Sequence, residues 1–178
     1  MGAFLANLVS FQVCWFAFVW GGASGRWWLG FIPLALFIAW QLKASRWPKA
    51  DLGLMGVALL LGIVIETGMA ASGLFAYASP VPSASLAPLW MLGMWINFGL
   101  TINHSMAWFK PRLVLGALFG LLGGPLAYWL AGRMWGALTI ADPQWPALLA
   151  LGVGWAVAMP LLCSLAVRWV RREEAAAA

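Results

Sequence analysis

LWMLGMWINFGLTINHSMAWFK, residues Leu89–Lys110, is the stretch from which the rest of the chain can be read. It has about the length of one bilayer-spanning helix, yet it carries Asn97, Thr101, Asn103, His104 and Ser105 among tryptophans, leucines and methionines. Polar groups at membrane depth are costly unless they face a protein interior or a water-filled cavity. At about 100° per residue, Trp90, Gly93, Asn97, Thr101, His104 and Trp108 fall within a sector of roughly 80°. Asn103 points about 100° away from His104 on the same wheel. One face is polar and aromatic, and that face is expected to look inward.

The same texture extends in both directions. The chain has 178 residues, of which 64% are apolar and only 8% charged, and a mean hydropathy of +0.90. A soluble domain carries about 25% charged residues; apolar runs of about 20 residues repeated along a chain mark an integral membrane protein. The net charge of +5 comes from ten basic residues scattered between those runs. They form no stripe that a phosphate backbone could follow, which excludes a nucleic-acid partner. Cys14 and Cys163 lie inside apolar runs and read as buried free thiols. One histidine cannot supply a metalloprotease motif, and neither a P-loop nor a Gly-x-Ser-x-Gly elbow occurs. No motif calls for a metal or a cofactor. The Met1 end lacks the basic segment of a secretory signal, so the first apolar run is expected to be retained.

These runs predict an all-α, polytopic bundle of six transmembrane helices, a single domain over residues 1–178. The spans are Ala3–Gly21, Trp27–Leu42, Leu52–Tyr77, Leu86–Phe109, Arg112–Ala131 and Pro146–Val167. With both termini in the cytoplasm, Lys43, Arg46, Lys49, Lys110, Arg112, Arg168, Arg171 and Arg172 fall inside, and only Arg26 and Arg133 outside. That asymmetry sets the orientation of a multi-pass membrane protein. The tryptophans fit the same frame, since only Trp15, Trp95 and Trp155 of the fourteen lie deep. Ala78–Ala87, uncharged and rich in Pro and Ser, reads as an external connector.

The fifth span is set apart by Gly116, Gly120, Gly123, Gly124, Ala127 and Ala131 on one side, a small-residue face that admits a neighbouring backbone. Pro125 there, and Pro160 in the sixth span, are expected to kink their helices.

Depth sorts the polar groups. A rise of about 1.5 Å per residue puts Asn97 near mid-membrane beside Glu66, making its carboxamide the better-matched partner for that acid. His104 shares a layer near the inner edge with Asn103, Ser105, Asn7 and Gln12; Gln41 and Ser164 end near the same level, and Asp51 stands at the adjacent mouth. His104 and Glu66 are the candidate acid–base residues. Asn97, Thr101, Asn103, Ser105, Asn7 and Gln12 are the candidate polar core.

Asn7-x3-Phe11-Gln12-x2-Trp15-Phe16, Thr101-Ile102-Asn103-His104-Ser105-Met106-x-Trp108 and Gly123-Gly124-Pro125-Leu126-Ala127-Tyr128 together resemble a small proteobacterial inner-membrane family catalogued only as a domain of unknown function. In that family an aspartate stands where this chain has Glu66, and a leucine where it has Ile102. By the association of its genes with envelope-lipid genes, the resemblance implies fatty-acyl lipid modification or envelope stress, with membrane lipid as the partner. Two further readings stand beside it. One is a small proton-coupled carrier using Glu66. The other is a structural bundle that joins partner membrane proteins or a second copy through the glycine face.

Overall fold

A computed structural model describes residues 2–177. Six helices form the bundle: α1 (Gly2–Ala23), α2 (Phe31–Ala44), α3 (Pro48–Ala71), α4 (Leu89–Gly99), α5 (Leu113–Trp135) and α6 (Gln144–Ala177). Four of them, α1, α3, α5 and α6, are long and apolar enough to cross a membrane. Large apolar side chains stand exposed on their flanks, such as Val64 at 71% and Val114 at 75%. Water does not tolerate such surfaces over a whole bundle; hydrocarbon does.

α4 differs from the continuous Leu86–Phe109 helix expected from its length. It ends at Gly99 after 11 residues, about 16 Å of rise. Thr101 Oγ donates to the Phe98 carbonyl at 2.6 Å; a threonine hydroxyl bonding back to the preceding turn commonly bends a helix. Leu100–Lys110 then proceeds through tight turns, with both His104 and Met106 N–H donating to the Thr101 carbonyl, and a single 3-10 turn at Ala107–Phe109. Gly99 is required at the break. A Cβ there would stand 3.0 Å from the Leu54 carbonyl and the Met55 Cα of α3.

α3 also stops earlier than Tyr77. Gly73 takes a left-handed φ of +72°, and Phe75–Tyr77 becomes a short strand, β1, paired antiparallel with β2 (Leu138–Ile140). Phe75 faces Ile140 and Tyr77 faces Leu138 in the register, all four buried. The connection from α3 to α4 and the connection from α5 to α6 are therefore stitched together. α5 and α6 run through Pro125 and Pro160 as unbroken helices.

At the opposite end, α3 opens with Pro48 in its first turn, where the missing N–H costs nothing. The next two backbone N–H groups, Lys49 and Ala50, donate to the Glu173 carboxylate of α6 at 3.2 and 2.9 Å, a negative charge placed at a helix N-terminus. Trp47 Nε1 donates to Glu174 beside it.

Candidate functional site

Two buried polar centres lie on α3, at Asp51 and Glu66. Fifteen residues separate them, about 22 Å along the helix.

The first gathers side chains from α1, α2, α3 and the turns after α4. Asp51 and Asn7 are fully buried, and Gln41 and Asn103 nearly so. Asp51 Oδ1 accepts from Asn103 Nδ2 at 2.8 Å, and Oδ2 lies 2.9 Å from His104 Nε2. Gln41 Nε2 stands 3.1 Å from the same imidazole nitrogen. Gln41 Oε1 accepts from Asn7 Nδ2 at 2.8 Å, and Asn7 Oδ1 accepts from the Ser105 backbone N–H and hydroxyl. Lys110 Nζ donates to Asn103 Oδ1 at 3.1 Å, and burial pulls its ammonium below the usual lysine range. Asn103 and His104 would diverge on an α-helix, yet both reach Asp51, because the chain has left the helix at Gly99.

Gln12 is not among these residues. It is exposed and has no hydrogen-bond partner among the described residues. Asn7→Ala is expected to lower the melting temperature, costing about 1–3 kcal/mol through the groups it leaves unpaired. Gln12→Ala is expected to leave it unchanged. Equal melting temperatures for the two variants in detergent would show that Asn7 holds nothing together.

The second centre is Glu66, with no exposed surface. Trp95 Nε1 donates to Oε1 at 2.7 Å, Tyr77 Oη donates to Oε2 at 2.5 Å, and Tyr128 Oη donates to Oε1. Asn97 takes no part in it. Its Nδ2 donates instead to the Phe11 carbonyl of α1, so the expected Asn97–Glu66 pairing is replaced by an α4–α1 tie. Thr101 is buried at the end of α4 and bonds only locally. The chain contains just two tyrosines and one histidine. Both tyrosines meet Glu66, and the histidine meets the other buried acid.

Beside the Glu66 centre, a cavity of about 440 Å³ lies between α1 and α5. Its floor is aromatic: Trp95 stacks on Trp155 at 4.3 Å, and Phe98 meets Trp155 edge-on at 4.9 Å. Gln12, Phe16, Phe119 and Tyr128 line its sides. From Phe119 to Trp135 its α5 wall rises about 24 Å.

The four glycines expected to form one packing face divide between two roles. A Cβ on Gly120 would stand 2.4 Å from the Trp155 carbonyl oxygen, and one on Gly124 would stand 2.5 Å from the Trp155 ring. Those two positions seat α6 and leave Gly120 no surface for a second chain. A Cβ on Gly123 or Gly116 meets nothing closer than 3.7 Å, and Gly123 lines the cavity.

Residues 4–161, a stretch that holds both centres and the cavity, match a family described as a protein of unknown function (DUF2878). The chain belongs to the DUF2878 family. Neither the curated proteins nor the solved structures yield a match. The DUF2878 match covers all three stretches that carry the sequence resemblance.

Proposed function

We propose that this DUF2878 protein holds the acyl chain of a membrane lipid in the cavity between α1 and α5, as an accessory or an enzyme of lipid modification. It is a multi-pass protein of the bacterial inner membrane, crossing six times with both termini in the cytoplasm. The observation that carries the reading is the cavity itself. It is apolar and aromatic, its volume lies within the roughly 300–1,000 Å³ of small-molecule sites, and its rim residues Phe16, Phe119 and Trp135 are exposed on the flank of the bundle. An apolar chain fits such a slot, and the exposed Gln12 amide on its wall supplies a polar contact that would orient it.

Filling the slot tests this. Gly123→Leu adds bulk where the structure has room, so the protein should stay folded. With a phosphatidylethanolamine carrying a photoreactive diazirine in one acyl chain, wild-type protein in vesicles is expected to label at Met94 or Phe119, and Gly123→Leu to label there at least tenfold less. Equal labelling of the two would remove the cavity as a lipid site. The modification step is tested separately: cells lacking the protein and cells carrying His104→Ala should share an altered lipid profile, and unchanged lipids in both would end that reading. Reporter fusions at residues 80 and 137 should report periplasmic, with one at 46 cytoplasmic.

The proton-coupled carrier reading rests on Glu66. Its three neighbours tie α3 to β1, α4 and α5, the arrangement of a structural knot more than of a moving carrier group. Proton-coupled uptake into proteoliposomes that is abolished by Glu66→Gln would favour the carrier.

A further inference from the structure

We infer that Asp51 and His104 form a proton-exchange site, a resting acid in which Asp51 Oδ2 donates to His104 Nε2 and from which one proton leaves through His104 Nδ1. The inference stands on hydrogen-bond wiring and is independent of what the cavity holds.

The wiring is fixed from both ends. Asn7 Oδ1 faces the Ser105 N–H at 3.2 Å and Asn7 Nδ2 faces the Leu100 carbonyl at 3.0 Å. A backbone N–H only donates and a carbonyl only accepts, so the Asn7 amide has one orientation. Its second N–H goes to Gln41 Oε1, which turns Gln41 Nε2, a donor only, toward His104 Nε2 at 3.1 Å. At the other end Lys110 Nζ, also a donor only, fixes Asn103 Oδ1, so Asn103 Nδ2 donates to Asp51 Oδ1. Lys110, which holds this amide, also faces Asp51 itself and, on α6, Cys163 and Glu174.

Both lines of donors converge on the 2.9 Å contact between Asp51 Oδ2 and His104 Nε2. Nε2 accepts from Gln41 and so bears no hydrogen. The hydrogen of the contact then belongs to Asp51 Oδ2, and the ring carries its own on Nδ1. In that arrangement the Asp51 O–H and the Gln41 N–H share the Nε2 lone pair, and no donor named here faces another donor. The alternative, Nε2–H donating to a carboxylate, leaves Gln41 Nε2 aimed at another donor inside the protein, a buried group without an acceptor.

One proton step joins the two arrangements. The Oδ2–H bond breaks as Nε2–H forms, and the Nδ1–H bond breaks as its proton passes to a base such as water. What remains is a carboxylate facing an Nε2–H imidazole, and uptake retraces the path. His104 is the port, because its side chain is 16% exposed while that of Asp51 is fully enclosed.

The chain has a single histidine, so ¹⁵N-histidine labelling of the full chain in lipid nanodiscs yields one imidazole to observe. Wild-type protein near neutral pH is expected to show a protonated Nδ1 and a bare, hydrogen-bonded Nε2. Gln41→Leu, which removes the competing donor, is expected to move the ring proton to Nε2. Infrared spectra should contain a protonated-carboxyl band that Asp51→Asn removes and Glu66→Gln leaves in place. A wild-type ring protonated at Nε2, or at both nitrogens, overturns the proposal. So does an infrared spectrum from which Asp51→Asn removes no carboxyl band. The wild-type spectrum decides the tautomer even if a variant fails to fold.

Discussion

Glu66→Ala is expected to destabilise the protein by on the order of 4 kcal/mol, the largest loss from any single side chain described above. The alanine leaves Tyr77 Oη, Tyr128 Oη and Trp95 Nε1 without their acceptor. Each buried unpaired donor costs about 1–3 kcal/mol, and the emptied volume adds to the sum. Glu66→Gln separates the two roles the residue could have. A glutamine carbonyl oxygen still accepts from one side, and a tyrosine hydroxyl can accept from the new amide. It should therefore recover most of the stability, to within about 1–2 kcal/mol of wild type. Unfolding followed in detergent micelles, by reversible denaturation or by melting temperature, reads both variants. A glutamine as damaging as the alanine would mean that a charge, and not an acceptor, is what the three donors require.

The second large effect is expected at Gly120. A methyl group there would press into the Trp155 carbonyl of α6, backbone against side chain, with no flexible end to yield. Gly120→Ala should cost about 1–3 kcal/mol, toward the upper end because two helix backbones must separate. Gly116→Ala, on the same helix, meets only the Phe109 Cβ at 3.8 Å. It should be neutral or stabilise by about 0.4–1 kcal/mol through the reduced freedom of the unfolded chain. Parallel losses in the two variants would show that α5 and α6 do not meet closely at Gly120.

Much of this architecture was legible as hydrophobic length. Four of the six runs became long helices, and the runs assigned to the second and fourth spans became α2 and the short α4. Length alone could not reveal that α4 ends at Gly99. The signal was local: Asn97, Gly99, Thr101 and Asn103 lie within seven residues, each a poor helix former or a competitor for backbone hydrogen bonds. The clustering of Asn7, Gln41, Asn103, His104 and Ser105 followed from depth, since each lies near the same end of its segment. Asp51 was placed only at the mouth, though it is the acid around which the others turn. Tyr77 and Tyr128 escaped because a depth argument weighs charged and amide groups and overlooks phenols. That the chain has only two tyrosines was the available hint. Azimuth, which sent Asn97 to α1 instead of Glu66, has no trace in a single apolar helix with polar residues on one side.

The acidic pair near the chain's end reaches further than its position suggests. Because Glu173 holds the opening turn of α3, and Asp51 sits in that turn, the last stretch of α6 is mechanically coupled to a residue deep inside the protein. A purification tag spliced in ahead of Glu173, or a protease cut at Arg172, would loosen the anchoring of an acid it never touches, and with it the contact between Asp51 and His104.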